Sequence, residues 1–205
     1  MKTKEKLVKE QETLIIGISI ENSYYNKENI ETIITQTKDK YKTIKIMIPD
    51  KPMIHTYTGM GYTKQKAQKK ARKKGNYLKN KIKEIIQNKN INNIEIINWE
   101  TDIETKQEYK QNYKKIIRLY KTNKQFQQDI NNTTKEVIQN KTKSDNYKKA
   151  TPFILKEIAY ITASQEINEE KTTYTYHKNW PIYENILQKK YGTIKETLPK
   201  FKIIN

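Results

Sequence analysis

Short apolar runs alternate with segments of helical spacing along the first half of the chain. The runs at 14–20, 43–50 and 93–99 have the length of strands, and the first is almost continuously apolar, which is typical of a strand buried on both faces of a parallel sheet. Helices are predicted between them, one from Asn26 onward and a longer one at 63–87. This alternation predicts an α/β protein with a Rossmann-like, doubly wound parallel sheet flanked by helices.

The second half of the chain is more polar, and its pattern is weaker. Residues 101–149 have helical tendency, but 131–146 (NNTTKEVIQNKTKSDN) are predicted to contain a loop, as are residues 51–63 before the long helix. Three further elements are predicted: an apolar helix at 150–163, a strand at 172–177 and a helix near 181–191, followed by a short tail. Because 205 residues suit one domain and no linker or repeat is present, we expect a single domain over 1–205.

The composition limits the partners and the chemistry. The 41 basic and 23 acidic residues leave a net charge of +18, which predicts a polyanion partner, although a codon bias toward A and T is the alternative source of the lysines. Cysteine is absent and only two histidines are present, so we expect no disulfide, no metal and no cofactor. No apolar run reaches the ~18 residues of a membrane helix, so we expect no membrane contact and a cytoplasmic protein.

The distribution of charge along the 63–87 helix favours function over codon bias. Small and apolar residues form one narrow stripe, and ten cations with one acid, Glu84, occupy the remaining positions. A solvated face is the alternative, but exposed helix faces normally mix charges of both signs. We predict a surface for a phosphate backbone, and RNA rather than DNA because no helix-turn-helix or zinc-finger pattern occurs. Its expected contacts are Lys66, Lys69, Lys70, Arg72, Lys73, Lys74, Lys79 and Lys81.

Candidate chemistry lies where strands end. Ligands of open parallel sheets bind beyond the carboxyl ends of the strands, and the first strand leads into Gly17 and Ser19. A glycine lets a ligand approach the backbone, and the serine is a candidate nucleophile. The alternative is an ordinary turn or helix cap. Tyr176 and His177 end the last predicted strand and form a candidate proton relay, but no order of serine, histidine and acid indicates a triad.

Glu157 is unusual because it shares a helix face with apolar residues. Its neighbour Lys156 projects about 100° away and does not pair with it on that face. Since burial of an unpaired carboxylate is costly, a cationic partner is expected there. Two partners remain open, a structural lysine or the ammonium group of a ligand such as an amino acid.

Several of these segments together resemble the cyclodipeptide synthases. They are GISIENSYY (17–25), IMIPD (46–50), TYTGMGYTKQKAQKKARKK (56–74), the Glu157 helix and the Tyr-His pair at 176–177. The resemblance implies an aminoacyltransferase that joins the amino acids of two aminoacyl-tRNAs, bound in sequence, into a cyclic dipeptide. It also implies a fold like the catalytic domain of class I tyrosyl- and tryptophanyl-tRNA synthetases. Like that family, the chain lacks the ATP-binding signatures of those synthetases.

The resemblance also implies roles for individual residues. Ser19 is the expected nucleophile, Glu157 the group that holds the α-ammonium, and Tyr176 the proton relay. Asn22, Tyr176 and His177 match the family branch named for asparagine, tyrosine and histidine, and Gly17 and the basic helix complete the substrate contacts. Phe153 departs from the family, which usually has a tyrosine there, and this removes a hydroxyl from the expected ammonium site.

The walls of an amino-acid pocket are a further prediction. Five side chains near the strand ends are candidates, with ordinary core packing as the alternative: Ile15, Met47, Trp99, Tyr160 and Tyr174. Two other functions compete with the synthase, namely a non-catalytic RNA-binding module and an unrelated α/β hydrolase that uses Ser19. We expect the synthase to be a monomer.

Overall fold

The computed structural model describes residues 10–142 and 146–204. Within them five strands are found: β1 (Glu10–Gly17), β2 (Tyr41–Met47), β3 (Ile94–Ile97), β4 (Thr172–Tyr176) and β5 (Lys200–Ile203). Seven α-helices accompany them: α1 (Lys27–Thr37), α2 (Met53–Gly59), α3 (Lys64–Asn88), α4 (Gln107–Thr122), α5 (Lys124–Gln139), α6 (Thr151–Asn168) and α7 (Pro181–Leu187). A π-helical turn (Trp99–Ile103) follows β3, and a 3₁₀ turn (Tyr147–Lys149) precedes α6.

The five strands form one parallel sheet in the order β3-β2-β1-β4-β5. Strands β2 and β3 lie on one side of β1, and strands β4 and β5 lie on the other. The order therefore reverses at β1, and such a switch point is where open α/β sheets bind ligands. The predicted α/β class and parallel, helix-flanked sheet are confirmed.

Both faces of β1 are buried, which explains its almost continuous apolar sequence. Leu14 and Ile16 pack with α1 and α3 on one face, while Ile15 packs with α4, α6 and α7 on the other. All three side chains are at most 1% exposed. The central strand is thus held from both sides, and the loop that follows it starts from a rigid support.

Two apolar runs continue past the ends of their strands. The first was predicted to end at residue 20 but ends at Gly17, and the third was predicted to include Trp99 but ends at Ile97. Ile18 and Ile20 are nevertheless buried, and so is Trp99 in the π-helical turn. The apolar pattern predicted burial correctly in both runs, but burial does not require membership of the hydrogen-bonded ladder.

Three segments differ from their predictions. Residues 51–63 contain α2 rather than only a loop, and much of 131–146 belongs to α5. Helix α2 is only seven residues long, and α5 has a regular buried stripe, Phe126, Ile130, Thr134 and Ile138, in which the polar Thr134 interrupts the apolar pattern. Part of the second segment, 143–145, lies outside the described residues. The tail contains β5, a four-residue edge strand whose side chains are mostly exposed and give little periodicity.

None of the helices in the described ranges has the length and apolar character needed to cross a membrane. The cytoplasmic location and the single-domain organisation stay predictions.

Gly75 lets α3 lie directly against the loop after β2. A Cβ built on this glycine would be 2.6 Å from the Cβ of Asp50. Asp50 in turn binds Lys79, one turn further along α3, with 2.6 Å between Oδ2 and Nζ. The position of the basic helix at the carboxyl edge of the sheet therefore depends on a residue without a side chain.

We expect Gly75→Ala to destabilise the protein although alanine is the better helix former. The added methyl group must displace the backbone-proximal part of Asp50, at a cost of about 1–3 kcal/mol, which exceeds the gain of about 1 kcal/mol in helix propensity. Urea unfolding measures the difference. The adjacent Asn76→Ala is the control, because Asn76 is exposed on the same helix and should be neutral or slightly stabilising. An equal gain in stability for both variants would contradict the packing argument.

Candidate active site

The loop after β1 carries Ser19 across the carboxyl edge of the sheet. Ser19 is half-buried between the buried Ile18 and Ile20, and its Oγ lies 3.4 Å from the Ile20 carbonyl oxygen. Helix α1 begins eight residues later and is capped by Asn26, whose side chain accepts from the Asn29 amide at 2.8 Å. Ser19 is therefore not a helix cap, and its hydroxyl remains available to a ligand.

A cavity of about 140 Å³ opens beside this loop. It is lined by Ser19, by Phe153 and Glu157 on α6, and by Tyr176 at the end of β4. The rest of its wall comes from α2, from the end of α5 and from the segment after β4. Four of the predicted site residues thus meet around one space, although they are distant in sequence.

Glu157 places a carboxyl group in this cavity without a counter-charge. No hydrogen bond or ion pair to it is present within residues 10–142 and 146–204. Lys156 points away from it and binds Glu104, with 2.7 Å between Nζ and Oε1, so this lysine is not its partner. Burial raises the pKa of Glu157 to about 8. A carboxyl group in this state is suited to bind a cationic group or to exchange a proton with one.

Tyr176 is a second titratable group on the cavity wall. Burial and the nearby Glu157 raise its pKa, the hydrogen-bonding groups of Ser19 and Asn22 lower it, and the net effect is a pKa of about 12. The phenol is therefore protonated at neutral pH. It is both a donor and an acceptor beside Ser19, as a proton relay requires.

Asn22 and His177 belong to a hydrogen-bonded network behind the loop. The Tyr25 hydroxyl donates to the Gly17 carbonyl oxygen at 2.7 Å and lies 3.2 Å from Nδ1 of His177. On the other side of the ring, Asn22 Nδ2 is 3.1 Å from Nε2, and Asn22 Oδ1 accepts from the Tyr24 amide. These contacts are all satisfied when His177 is neutral, donates through Nδ1 and accepts at Nε2.

The ionisation of His177 agrees with this assignment. Burial, and then the positive charge of Lys178, lower the pKa of the imidazole below its ordinary value. The ring also stacks on Tyr24, with 4.7 Å between ring centroids. His177 therefore acts as a neutral connector that fixes the path of the loop, and both of its nitrogens are occupied.

The predicted pocket walls lie elsewhere. Ile15, Met47, Trp99, Tyr160 and Tyr174 are all buried in the core on the α4–α6–α7 side of the sheet, and none of them lines the cavity. Tyr174 packs so closely below Gly17 that a Cβ on the glycine would overlap its hydroxyl group. This agrees with the packing alternative, and a role in holding the amino-acid side chain stays a prediction.

Several residues of the cavity were not singled out from the sequence. Met53 and Thr56 were missed because their segment was predicted to be a loop, and Val137 because it lies in 131–146, which was predicted to contain one. Lys141 and Lys178 also line the cavity, and only their positions in the fold place them there. Tyr25, by contrast, stands inside the GISIENSYY motif, so its place in the network had a sequence signal.

The predicted RNA-binding lysines of α3 fall into two groups. Lys66, Lys69, Arg72 and Lys73 are exposed and form no ion pair with the described residues. The other four have intramolecular contacts: Lys70 and Lys74 lie near Glu21, Lys79 binds Asp50, and Lys81 lies over the Tyr77 ring. The exposed group is therefore the part of the helix with unneutralised charge.

Comparison with known proteins identifies the family. The model of the cyclodipeptide synthase family matches residues 2–204. The chain therefore belongs to the cyclodipeptide synthases, and the family and enzyme class predicted from the sequence are confirmed. The cyclo(L-leucyl-L-leucyl) synthase of Staphylococcus haemolyticus (strain JCSC1435) is 26% identical over 194 residues, which are 87% of this chain and 81% of that protein.

Solved structures share the fold. A cyclodipeptide synthase from Bacillus thermoamylovorans has a TM-score of 0.82 at 18% identity, covering 98% of this chain and 93% of that one. A synthase from Candidatus Glomeribacter gigasporarum, bound to Phe-tRNA, has a TM-score of 0.68 at 14% identity, covering 98% and 89%. A Mycobacterium tuberculosis protein, described as showing that these enzymes are related to type I tRNA synthetases, has a TM-score of 0.74 at 14% identity, covering 92% and 81%. The expected likeness to class I synthetases is thereby confirmed.

The described ranges contain no group of three or more histidine, aspartate or glutamate side chains that could hold a metal ion.

The raised pKa of Glu157 predicts a pH-dependent cost to stability. Between about pH 4.5 and 8 the folded protein retains a proton that the unfolded chain has lost, so the free energy of unfolding falls as the pH rises. In Glu157→Gln the side chain cannot titrate, so this decrease in the free energy of unfolding is absent. Relative to wild type, we expect the variant to gain roughly 2–4 kcal/mol between pH 5 and pH 8.

Urea unfolding at several pH values measures this gain. Glu100→Gln is the matched control, because Glu100 is a carboxylate with a 73% exposed side chain and should give no comparable change. A difference between Glu157→Gln and wild type that stays constant from pH 5 to pH 8 would show that Glu157 titrates normally.

Proposed function

We propose that this chain forms a cyclic dipeptide from two aminoacyl-tRNAs by covalent catalysis through Ser19. The observation that carries the proposal is the cavity itself. It joins a serine hydroxyl, a protonated phenol and a carboxyl group without a counter-charge, in a protein with a strongly cationic helix. These groups match the needs of an activated, amine-bearing acyl donor attached to a polyanion.

The first step transfers the aminoacyl group to the enzyme. Ser19 Oγ attacks the ester carbonyl carbon of the first aminoacyl-tRNA, the new Oγ–C bond forms, and the bond from that carbon to the ribose oxygen breaks. The proton of Ser19 passes through Tyr176 to the departing ribose oxygen. One ester replaces another, so the exchange requires no ATP, and positioning supplies much of the acceleration.

The second and third steps build the ring. The amine of the aminoacyl-serine attacks the ester carbonyl carbon of the second aminoacyl-tRNA, and the bond from that carbon to the ribose oxygen breaks. A proton of the amine passes to that oxygen, which gives a dipeptidyl-serine and a free tRNA. The terminal amine of that dipeptide then attacks the carbonyl carbon bound to Ser19 Oγ. The Oγ–C bond breaks, Ser19 recovers its proton, and the cyclic dipeptide leaves.

Glu157 is the group that holds the α-ammonium in this scheme. It projects into the same cavity as Ser19, and within the described residues no protein cation forms an ion pair with it. Phe153 lies one turn earlier on α6 and also lines the cavity, but it has no hydroxyl to share in this contact. The ammonium site therefore depends on Glu157, with Gly17 as the expected backbone contact.

The remaining assignments concern the branch and the partner. Asn22, Tyr176 and His177 support membership of the asparagine-tyrosine-histidine branch, since Asn22 contacts His177 directly and the His177 and Tyr176 rings lie 4.3 Å apart by centroids. The exposed cations of α3 support tRNA binding, and the tRNA-bound relative has the same fold. We propose that the protein acts as a monomer and binds its two aminoacyl-tRNAs in sequence.

The geometry disfavours an unrelated hydrolase. A hydrolase of the serine-histidine type needs a histidine nitrogen to take the proton of Ser19. Both nitrogens of His177 are engaged by Asn22 and Tyr25, and His55 is not among the residues that line the cavity. A non-catalytic RNA-binding module needs only the basic helix, and it leaves the arrangement around Ser19 without a purpose. The test below separates both from the synthase.

Ser19→Ala should abolish product formation and leave the fold intact. We would express wild type and variant in bacteria, analyse the medium for cyclic dipeptides by mass spectrometry, and measure the intact mass of purified protein after mixing with aminoacyl-tRNA. Wild type should show cyclic dipeptide and an acyl adduct at Ser19, and the variant neither. The hydroxyl is the only group removed, so the temperature of thermal unfolding should change little.

Ser23→Ala is the matched control. Ser23 is an exposed serine in the same loop, and its variant should keep both the product and the adduct. Cyclic dipeptide formed at the wild-type rate by Ser19→Ala would refute the covalent route. A wild-type protein that binds tRNA but forms neither product nor adduct would favour the binding module.

The exposed lysines of α3 should set the dependence on tRNA concentration. For the double variant Lys69→Glu/Lys73→Glu we expect the KM for aminoacyl-tRNA to rise at least about tenfold, and the slope of log(kcat/KM) against log salt to become shallower by roughly 1–2, because two phosphate contacts are lost. Lys40→Glu/Lys42→Glu is the control, with the same charge change on exposed lysines at the amino-terminal end of β2. Equal effects in both pairs would indicate long-range attraction without a specific surface.

A further inference from the structure

Glu21 has an unusual backbone conformation two residues after Ser19. Its φ of 66° lies in the left-handed region, which residues other than glycine adopt rarely. The other three non-glycine residues with positive φ in the described ranges, Asn90, Glu169 and Lys189, all follow the ends of helices, where a left-handed residue is common. Glu21 has no such reason, and strained residues of this kind persist only where surrounding contacts hold them.

The contacts that hold Glu21 come from α2 and α3. The Tyr57 hydroxyl on α2 donates to Glu21 Oε1 at 2.8 Å, and the Tyr57 side chain is fully buried. Lys70 and Lys74 on α3 place their Nζ atoms 3.8 and 3.7 Å from the same oxygen. One carboxylate therefore joins the Ser19 loop to two helices.

The side chain of Lys70 is held in place by neighbouring aromatic residues. Its Nζ lies 4.8 and 4.7 Å from the ring centroids of Tyr57 and Tyr62, and it donates to the Tyr62 hydroxyl at 3.1 Å. Lys74 has a 49% exposed side chain, so it faces both Glu21 and solvent. The Glu21 carboxylate is thus held by a rigid aromatic cluster on one side. On its other side it contacts the cationic surface of α3.

Three lysines and one neutral phenol act on the Glu21 carboxylate. Lys70 and Lys74 lie on α3, Lys141 lies just after α5, and the Tyr57 phenol belongs to α2. Burial acts to raise the pKa of Glu21, but the hydrogen bond from Tyr57 and the three lysines outweigh it and leave the pKa below its ordinary value. The group is a carboxylate at every pH at which the protein would function.

From these contacts, and resting on the proposed function, we infer that Glu21 is a positioning residue that holds the Ser19 loop against α2 and α3. The surface that binds the tRNA and the loop that presents the nucleophile are then parts of one rigid unit. A tRNA seated on α3 brings its ester to a hydroxyl whose place is already set. Without Glu21 the tRNA still binds, but the hydroxyl is less often in position.

The kinetic test separates positioning from surface charge. In Glu21→Ala we expect kcat to fall about tenfold, because a charge-assisted hydrogen bond and two ion contacts are lost, while the KM for aminoacyl-tRNA is unchanged or lower. Glu21→Gln should be intermediate, since its amide oxygen still accepts from Tyr57. Glu84→Gln is the matched control, because it removes the same charge from α3 itself, ten residues further along the helix than Lys74, where Glu84 binds Lys27 at 2.7 Å.

In Glu84→Gln we expect kcat to stay within about twofold of wild type. An unchanged kcat in Glu21→Ala, whatever the KM, or an equal loss of kcat in Glu84→Gln, would overturn the inference, because the first result shows no positioning role and the second is an effect of surface charge alone.

A second measurement is independent of turnover. Hydrogen exchange of peptides covering residues 17–25, measured without tRNA, should be faster in Glu21→Ala than in wild type or Glu84→Gln. Unchanged exchange would overturn the inference even if activity fell. Faster exchange in a protein whose wild type forms no cyclic dipeptide would leave the positioning role standing and refute the proposed function instead.

Discussion

The hydrogen bond from the Tyr25 hydroxyl to the Gly17 carbonyl determines where the loop after β1 can go. Gly17 is the last residue of the central strand, and beyond it the chain must leave the ladder while its backbone groups stay satisfied. The Tyr25 hydroxyl binds the end of the strand from within the loop. Nδ1 of His177 is hydrogen-bonded to Tyr25, and Nε2 is hydrogen-bonded to Asn22. Ser19 lies inside this closed segment, so its position follows from a network that contains no group available for catalysis.

The carboxylates of the protein also fall into two kinds, those that join elements of the fold and one that is available to a ligand. Asp50, Glu104 and Glu21 all have lysine partners, and each of these pairs joins separate elements of the fold. Glu157 is surrounded by a protein of high positive charge and still has no cationic partner within the described residues. Lys141 and Lys178 line the same cavity, and neither forms an ion pair with Glu157 within the described residues, so the isolation is not due to a shortage of cations. The neighbouring Lys156 is held by Glu104 and cannot supply the charge.

The sequence predicted more of the sheet than of the cavity. Burial on both faces makes strands such as β1 visible as apolar runs, and the glycine and serine at its end stand out against that run. Thr56 and Val137 gave no such signal, because α2 has only seven residues and Val137 does not belong to the buried stripe of α5, so their lining role depends on how these helices pack. The contact between Glu21 and Tyr57 could not be predicted either, since 36 residues and two elements separate the partners.

The departure at Phe153 has a chemical consequence at Glu157. A hydroxyl one turn earlier on α6 would donate to the carboxylate and lower its pKa, whereas the phenyl ring only adds to its burial. The pKa of about 8 describes the ligand-free cavity, where burial is the cause of the shift. An α-ammonium bound beside Glu157 is an opposite charge, and it would lower the pKa of this carboxyl group again. In the proposed reaction the ammonium therefore supplies the counter-charge that the described residues do not, and Phe153 adds no hydroxyl to that contact.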